Sequence, residues 1–183
     1  VQQLSEAMGT GARIDVNQLC YNLLSRAIEV DILPFLRQHE IGVLAYMPLL
    51  QGILTGKYHT ADEVPPVRAR SRHFRGDRPG SRHGEAGAEK ELFEALDGIR
   101  EVALSEGIPM SQLALAWVMA KPGITSVLVG MRNVSQLQEN IQAASLSLSS
   151  KVIAQLDELT KPLLRKLGSN ADYWQGSENS RIH

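Results

Sequence analysis

Short apolar runs and amphipathic stripes alternate along the first part of the chain and predict an α/β fold. Residues 14–20 alternate apolar and polar side chains, as a half-buried strand does. Residues 41–46 form a short apolar run, which is typical of a buried strand. A short helix is predicted between them at residues 31–39, where Pro34 fits the first turn. This order of strand, helix and strand predicts a parallel β–α–β unit.

The second half of the chain predicts further helices and one more strand. Residues 89–106 carry a helical apolar stripe, which Gly107 is expected to end. Residues 108–120 are apolar on most faces, so this helix is expected to be well buried. Residues 125–130 are apolar enough to predict a third, fully buried strand.

The C-terminal region predicts two more helices and a tail. Asn133, followed by Gln136 three residues later, fits a capping box at the start of a helix. Pro162 is expected to kink or shorten the last helix. The two predicted helices span residues 134–144 and 150–167, and a polar tail follows at 168–183, in which Tyr173 and Trp174 are expected to fold back onto the body.

Residues 58–87 are rich in glycine, proline and arginine and predict a long loop, of the kind that is usually functional or disordered. One interpretation is a basic flap over an anionic ligand, or a nucleic-acid patch. The other, which we favour, is a solvated loop whose charge is balanced by acids elsewhere. Only Phe74 lies among the arginines, whereas stacking platforms for bases need more aromatic side chains. The arginines are Arg68, Arg70, Arg72, Arg75, Arg78 and Arg82.

The segment at residues 46–57 carries the clearest candidate chemistry. It follows a predicted strand that stops at Pro48, and Gly52 and Gly56 allow tight turns and a close backbone approach to a ligand. With Lys57 at its end, the segment suits a phosphate cradle. On spacing alone, an ordinary strand-to-loop connection with a solvated lysine suits it as well. The helix start beside Arg132 is a second place where free N–H groups would favour a phosphate.

Composition excludes several classes of protein. The 183 residues carry a formal net charge of −1, which argues against a dedicated nucleic-acid binder. Cys20 is the single cysteine, so neither an intrachain disulfide nor a cysteine metal cluster is expected, and the histidines lack metal-ligand spacing. No apolar run approaches the roughly 20 residues that span a bilayer, and nothing resembles a signal peptide. We therefore expect a cytoplasmic protein with no membrane partner and no metal.

Three ordered motifs resemble the aldo-keto reductases, most closely the branch of potassium-channel β subunits and bacterial reductases. They are QLCYNLL at 18–24, GVLAYMPLLQGILTGKY at 42–58 and VGMRNVSQLQEN at 129–140. The resemblance covers residues from about 14 to 165. It implies a (β/α)8 TIM barrel that binds NADP(H) and reduces aldehydes or ketones, in which the three predicted strands are the sixth, seventh and eighth.

The resemblance also implies a role for individual residues. Gln18 would hydrogen-bond the nicotinamide carboxamide, and Tyr46 would stack on the nicotinamide ring. Met47 stands where the family commonly has serine, so only its backbone N–H would be left for a phosphate. The other implied cofactor-binding residues are Leu49, Gln51, Gly52, Leu54, Gly56 and Lys57 around the pyrophosphate, Arg132 and Gln136 towards the 2′-phosphate, and Glu139 and Asn140 at the adenine. Pro48, Gly130 and Met131 are implied as cofactor-binding without a more specific role.

The family's catalytic tyrosine, aspartate, lysine and histidine come from its first four strands, which this sequence does not contain. We therefore assign no catalytic residue here and expect the chain alone to be inactive. Residues 1–167 would be a partial or half barrel, because a barrel closes only with all its strands. A missing N-terminal half or further copies of the chain would complete it, and the complete assembly would act on a small carbonyl substrate. The alternative is a non-catalytic, self-associating module for interaction or nucleotide sensing.

Overall fold

Three parallel strands form the sheet in the computed structural model, which describes residues 1–182. They are β1 (Val16–Cys20), β2 (Gly42–Tyr46) and β3 (Ile124–Leu128), in the order β1-β2-β3. Helix α2 (Ile32–Gln38) connects β1 to β2, and the two strands pair in parallel with Gln18 opposite Leu44. The predicted β–α–β unit is therefore confirmed.

The helices begin and end largely where the sequence predicts. Gly107 has φ +65° and ends its helix in the left-handed region that glycine favours. Asn133 caps the following helix through its side-chain oxygen, which accepts the Gln136 N–H at 2.9 Å. Pro162 does not shorten the last helix, which continues to Leu167. The helices other than α2 are α1 (Gln2–Gly9), α3 (Glu89–Glu106), α4 (Met110–Ala120), α5 (Val134–Ala144) and α6 (Ser150–Leu167).

The core lies mainly on one face of the sheet. Val43 and Ala45 of β2 are fully buried, whereas Val16 and Leu128 are 45% and 41% exposed. Side chains alternate between faces along a strand, so the face that carries Gln18 and Leu128 is open. The prediction of a fully buried third strand is wrong, because β3 is an edge strand with no neighbour on its outer side among residues 1–182.

The arginine-rich loop at 58–87 and the C-terminal tail both fold onto the body. His73 and Phe74 of the loop are fully buried. Tyr173 of the tail is buried as well, stacks on His73 at 5.0 Å between ring centres and accepts the Ala27 N–H. Acids partner part of the loop, since Arg72 and Arg78 bind Glu85 and Glu89. Tyr173 therefore folds back as expected.

The architecture agrees with the predicted α/β class and supplies three parallel strands of the kind that a β/α barrel uses. Barrel closure needs more strands than residues 1–182 contain. No single helix in this range is long and apolar enough to cross a membrane. Only α3 and α4 taken together would pass by length and composition, and they are bent by 96°.

Candidate functional site

The segment that leaves the carboxyl end of β2 has an unusual backbone. Met47, Leu50 and Gln51 have positive φ angles of 54°, 42° and 54°, in the region that non-glycine residues seldom adopt. Gly52 follows with φ +89°. The Asn22 side chain donates to the Met47 carbonyl at 2.9 Å and helps to hold the turn. Such strained residues cost about 1–3 kcal/mol each and cluster at ligand-binding sites.

This segment forms one wall of a cleft of about 1040 Å³. Parts of the loop that follows, the start of α4 and the stretch from the end of β3 into α5 form the other walls. The structure thus brings together most of the residues that the sequence assigned to a cofactor. Those lining the cleft are Met47, Pro48, Leu49, Gln51, Gly52, Lys57, Gly130, Met131, Arg132, Gln136, Glu139 and Asn140.

The cleft carries a net positive charge. Lys57, Arg68, Arg70 and Arg132 line it, and none of these four cations forms a salt bridge with any described carboxylate. By contrast, Arg72, Arg75 and Arg78 of the same arginine-rich loop all have acidic partners. Unpaired cations around a concave surface attract anions and hold them by charge-assisted hydrogen bonds.

Lys57 and Arg68 both contact Tyr58 and lie close to Gly52. The Arg68 guanidinium donates to the Tyr58 hydroxyl at 2.9 Å, and the Lys57 ammonium lies 4.9 Å from the centre of the Tyr58 ring. A Cβ atom placed on Gly52 would lie 3.5 Å from Lys57 Nζ and 3.6 Å from Arg68 Nη1. The missing side chain therefore leaves room for an anionic group between the backbone and both cations.

The start of α5 forms the opposite wall. The Arg132 N–H donates to Gln136 Oε1 at 2.8 Å, so the Gln136 oxygen is engaged in closing the helix start. The Arg132 guanidinium is left exposed at the cleft. Asn140 Nδ2 is buried and has no hydrogen-bond partner in the structure. A buried amide without a partner fits an acceptor on a ligand, because leaving such a group unpaired costs free energy.

Four residues of the predicted site lie outside this cleft. Gln18 is exposed on the open face of the sheet. Leu54 is fully buried in the core and Gly56, at φ +79°, packs against Met110, so both shape the loop rather than contact its open side. Tyr46 lines a smaller cavity that adjoins the cleft at Met47 and Arg70.

Tyr46 differs from the other tyrosines because it lines a cavity and its hydroxyl has no hydrogen-bond partner among the described residues. Burial, with a smaller effect of the neighbouring Cys20, raises the pKa of Tyr46 to about 12. The phenol is therefore neutral at physiological pH. Tyr21, Tyr58 and Tyr173 instead bind Glu29, Arg68 and the Ala27 N–H. Among residues 1–182, no group of three or more potential metal ligands is placed to hold a metal ion.

Sequence reasoning missed Val67, Arg68, Arg70 and Ser111, which also line the cleft. The arginine-rich composition of the loop is the available signal, and it leaves open both a flap over an anionic ligand and the favoured solvated loop. The pattern alone does not separate Arg68 and Arg70, which face the cleft, from Arg72 and Arg78, which bind acids. That choice depends on how the loop folds back on the body.

Comparisons with known proteins identify the family. The model of the aldo/keto reductase family matches residues 1–161. Among curated proteins, the chain is 35% identical over 150 residues to L-glyceraldehyde 3-phosphate reductase of Escherichia coli K12, and 30% identical over 151 residues to a probable voltage-gated potassium channel subunit beta of Arabidopsis thaliana. These alignments cover 78% and 79% of this chain but only 40% and 44% of the two relatives.

A solved structure shows the same fold. The thermostable aldo-keto reductase Tm1743, crystallised with the inhibitor epalrestat, superposes with a TM-score of 0.59 at 24% identity. The match covers 86% of this chain and 44% of that protein, so the chain spans less than half the length of the relatives it resembles. Since the family model matches most of the sequence, the chain belongs to the aldo/keto reductase family.

Proposed function

We propose that this chain is the NADP(H)-binding half of an aldo-keto reductase, and that the complete assembly reduces aldehydes or ketones. The observation that carries the proposal is the cleft in which Lys57, Arg68 and Arg132 lie without a carboxylate partner among residues 1–182. Two phosphate groups and a 2′-phosphate would supply the negative charge that these cations lack.

The described residues fit such a dinucleotide. Lys57 and Arg68 would bind the pyrophosphate beside Gly52, where the absent side chain lets the backbone come close. Arg132 would bind the 2′-phosphate through its planar guanidinium, and Asn140 would donate to the base. When bound, the nicotinamide supplies the hydride, while this chain binds and orients the cofactor.

The choice between NADP(H) and NAD(H) rests on Arg132. One relative, 29% identical over 156 residues, is named NADH-specific methylglyoxal reductase in Escherichia coli K12, so family membership leaves that choice open. A guanidinium at the start of α5 with no acidic partner within residues 1–182 favours a cofactor that carries the extra phosphate.

Titration of the purified chain with NADPH and NADH, followed by nucleotide fluorescence, tests the proposal. We expect Arg132→Gln to weaken NADPH binding roughly 10- to 100-fold, since hydrogen bonds to charged groups contribute about 1.5–3 kcal/mol. Binding of NADH should stay unchanged. Arg165→Gln, an exposed site in the last turn of α6, is the matched control. Absence of NADPH binding at about 1 mM would contradict the cofactor role.

We further propose that a second chain segment completes the barrel, either an N-terminal half or further copies of this chain, in the cytoplasm. The open face of the sheet, with Val16 and Leu128 exposed, supports this. Mixing the chain with the N-terminal half of a bacterial relative and measuring NADPH-dependent loss of an aldehyde tests it. Nucleotide binding that never leads to carbonyl reduction in the mixture would favour the alternative, a nucleotide-sensing module without catalysis.

A further inference from the structure

A second cavity, of about 390 Å³, lies where β2 ends, between the arginine-rich loop and the C-terminal tail. Tyr46 and Met47 form one side of it, and Arg70, Arg82, Trp174 and Arg181 line the others. It adjoins the larger cleft, because Met47 and Arg70 line both. A ligand in this cavity would lie next to the Tyr46 ring. Lys57 and Arg132, which we assign to the cofactor phosphates, line only the larger cleft.

Charge in this cavity is positive. Arg70 and Arg82 have no carboxylate partner among the described residues. Arg181 does have one: its guanidinium donates to both carboxylate oxygens of Asp172 at 2.8 and 2.9 Å, and that carboxylate is only 1% exposed. The ion pair with Asp172 fixes Arg181 and neutralises its charge. Arg70 and Arg82 are therefore the two uncompensated cations at the cavity.

The walls hold their shape through specific contacts. Asp172 also accepts the Trp174 N–H at 3.2 Å, which anchors the tail and its indole at the cavity. Gly80 has φ +79°, and a Cβ atom there would lie 3.0 Å from Arg70 Cδ. A side chain at Gly80 would therefore press on the stem of Arg70. The cavity therefore combines an apolar wall with cationic side chains.

We propose that this cavity binds the anionic group of a small carbonyl substrate, which is a carboxylate or a phosphate. Arg82 and Arg70 would bind the anion, and Trp174 and Met47 would contact the carbon chain. The substrate class would accordingly be short aldehydes or ketones that carry a terminal negative charge. This inference rests on the proposed function, because it takes the ring of Tyr46 as the place of the nicotinamide.

Tryptophan fluorescence of the purified chain provides the test. Trp174 lines the cavity whereas Trp117 is fully buried, so Trp174→Phe identifies the reporting ring. Each charged probe is compared with a neutral one. Glyceraldehyde 3-phosphate, which carries a phosphate, is compared with glyceraldehyde, and succinic semialdehyde, which carries a carboxylate, is compared with butanal. We expect at least one charged probe to bind roughly 10-fold more tightly than its neutral partner, and Arg82→Gln to remove that difference.

Two controls separate this site from the cofactor cleft. Lys57→Gln should leave binding of the charged probe unchanged, and Arg82→Gln should leave NADPH binding unchanged. If charged and neutral probes bind equally tightly while the chain still binds NADPH, the inference about the cavity is wrong and the proposed function stands. Loss of NADPH binding in Arg82→Gln would also overturn it, because the cavity would then belong to the dinucleotide. Binding of a charged probe by a chain that never binds NADPH would overturn the proposed function, and with it the role of the anion as a substrate.

Discussion

Gly52 shows what a single residue contributes to the cleft. Its φ of +89° places it in the left-handed region, and its missing side chain leaves the space towards which Lys57 and Arg68 point. The sequence places the glycine and the lysine in one loop after a strand, which was enough to propose a phosphate cradle. It does not show Arg68, because that arginine reaches Gly52 only after residues 58–69 have folded back, with Tyr58 as its support.

The first prediction compares Gly52→Val with Gly84→Val. Both glycines have positive φ, +89° and +64°, but nothing lies within 4 Å of a Cβ atom at Gly84. Each variant should lose about 1–2 kcal/mol of unfolding free energy from backbone strain, measured by urea denaturation. Only Gly52→Val should weaken NADPH binding, because its methyl groups would displace Lys57 and Arg68. Equal affinity in the two variants would show that the space at Gly52 does not hold the ligand.

His73 is a buried residue whose ionisation links folding to pH. Its Nε2 lies 2.9 Å from the Leu24 carbonyl and its Nδ1 lies 3.1 Å from the Ser71 hydroxyl, so the neutral ring donates through Nε2 and accepts through Nδ1. Burial lowers the pKa of His73 from 6.5 to about 4, and the nearby Arg72 and His83 add to this. The hydrogen bond to Leu24 acts in the opposite direction and is outweighed.

The second prediction follows from that pKa. Below pH 6.5 the unfolded chain binds a proton at His73 that the folded chain does not bind. The contribution of His73 to the free energy of unfolding is therefore fully present above pH 6.5 and decreases as the pH falls towards 4. Over that window the contribution is about 3 kcal/mol. In His73→Gln this acid-dependent loss should disappear from urea unfolding curves. Exposed His59→Gln should keep the wild-type slope. An unchanged slope in His73→Gln would assign the acid sensitivity to other groups.

At the scale of the element, periodicity predicts the helices well and the environment of a strand poorly. The stripe of α3 and the cap of α5 at Asn133 are local signals, and the structure matches both. The apolar composition of β3 predicted burial, but burial of a strand depends on what covers it, and β3 is an edge. Pro162 was expected to disturb α6, yet the helix continues because the buried face on Leu156 and Leu163 holds it to the core.

Asp157 joins α6 to α4, and its replacement is the third prediction. The carboxylate accepts the Trp117 indole N–H at 2.9 Å and the Lys121 ammonium at 2.8 Å. Asp157→Ala should cost about 2 kcal/mol of unfolding free energy, because the fully buried indole loses its acceptor. Asp157→Asn keeps an acceptor and should cost less. Glu158→Ala, which removes only an exposed pair with Lys161, should stay within about 0.5 kcal/mol of wild type.

At the scale of the whole molecule, α5 carries an exposed apolar face in addition to the open face of the sheet. Val134, Leu137 and Ile141 are 69%, 39% and 58% exposed and recur at the spacing of one helix face. Exposed apolar side chains grouped in this way mark interaction surfaces. The resemblance to the family implies a barrel that a further chain segment or copy completes. It does not predict that α5, beside the cleft, exposes an apolar face.

The last prediction concerns self-association of the purified chain. Burial of this surface would stabilise a complex by about 25 cal/mol for each Å² of apolar area removed from water, so copies should associate when no other partner is present. Multi-angle light scattering should give a mass well above 20.1 kDa for the wild type. Val134→Lys combined with Ile141→Glu should shift that mass towards the monomer without lowering the unfolding free energy, since both side chains are exposed. The matched double change Lys151→Glu and Arg165→Glu, at exposed sites on α6, should leave the mass unchanged. A wild-type monomer that binds no apolar dye would contradict the expectation that the face needs a partner.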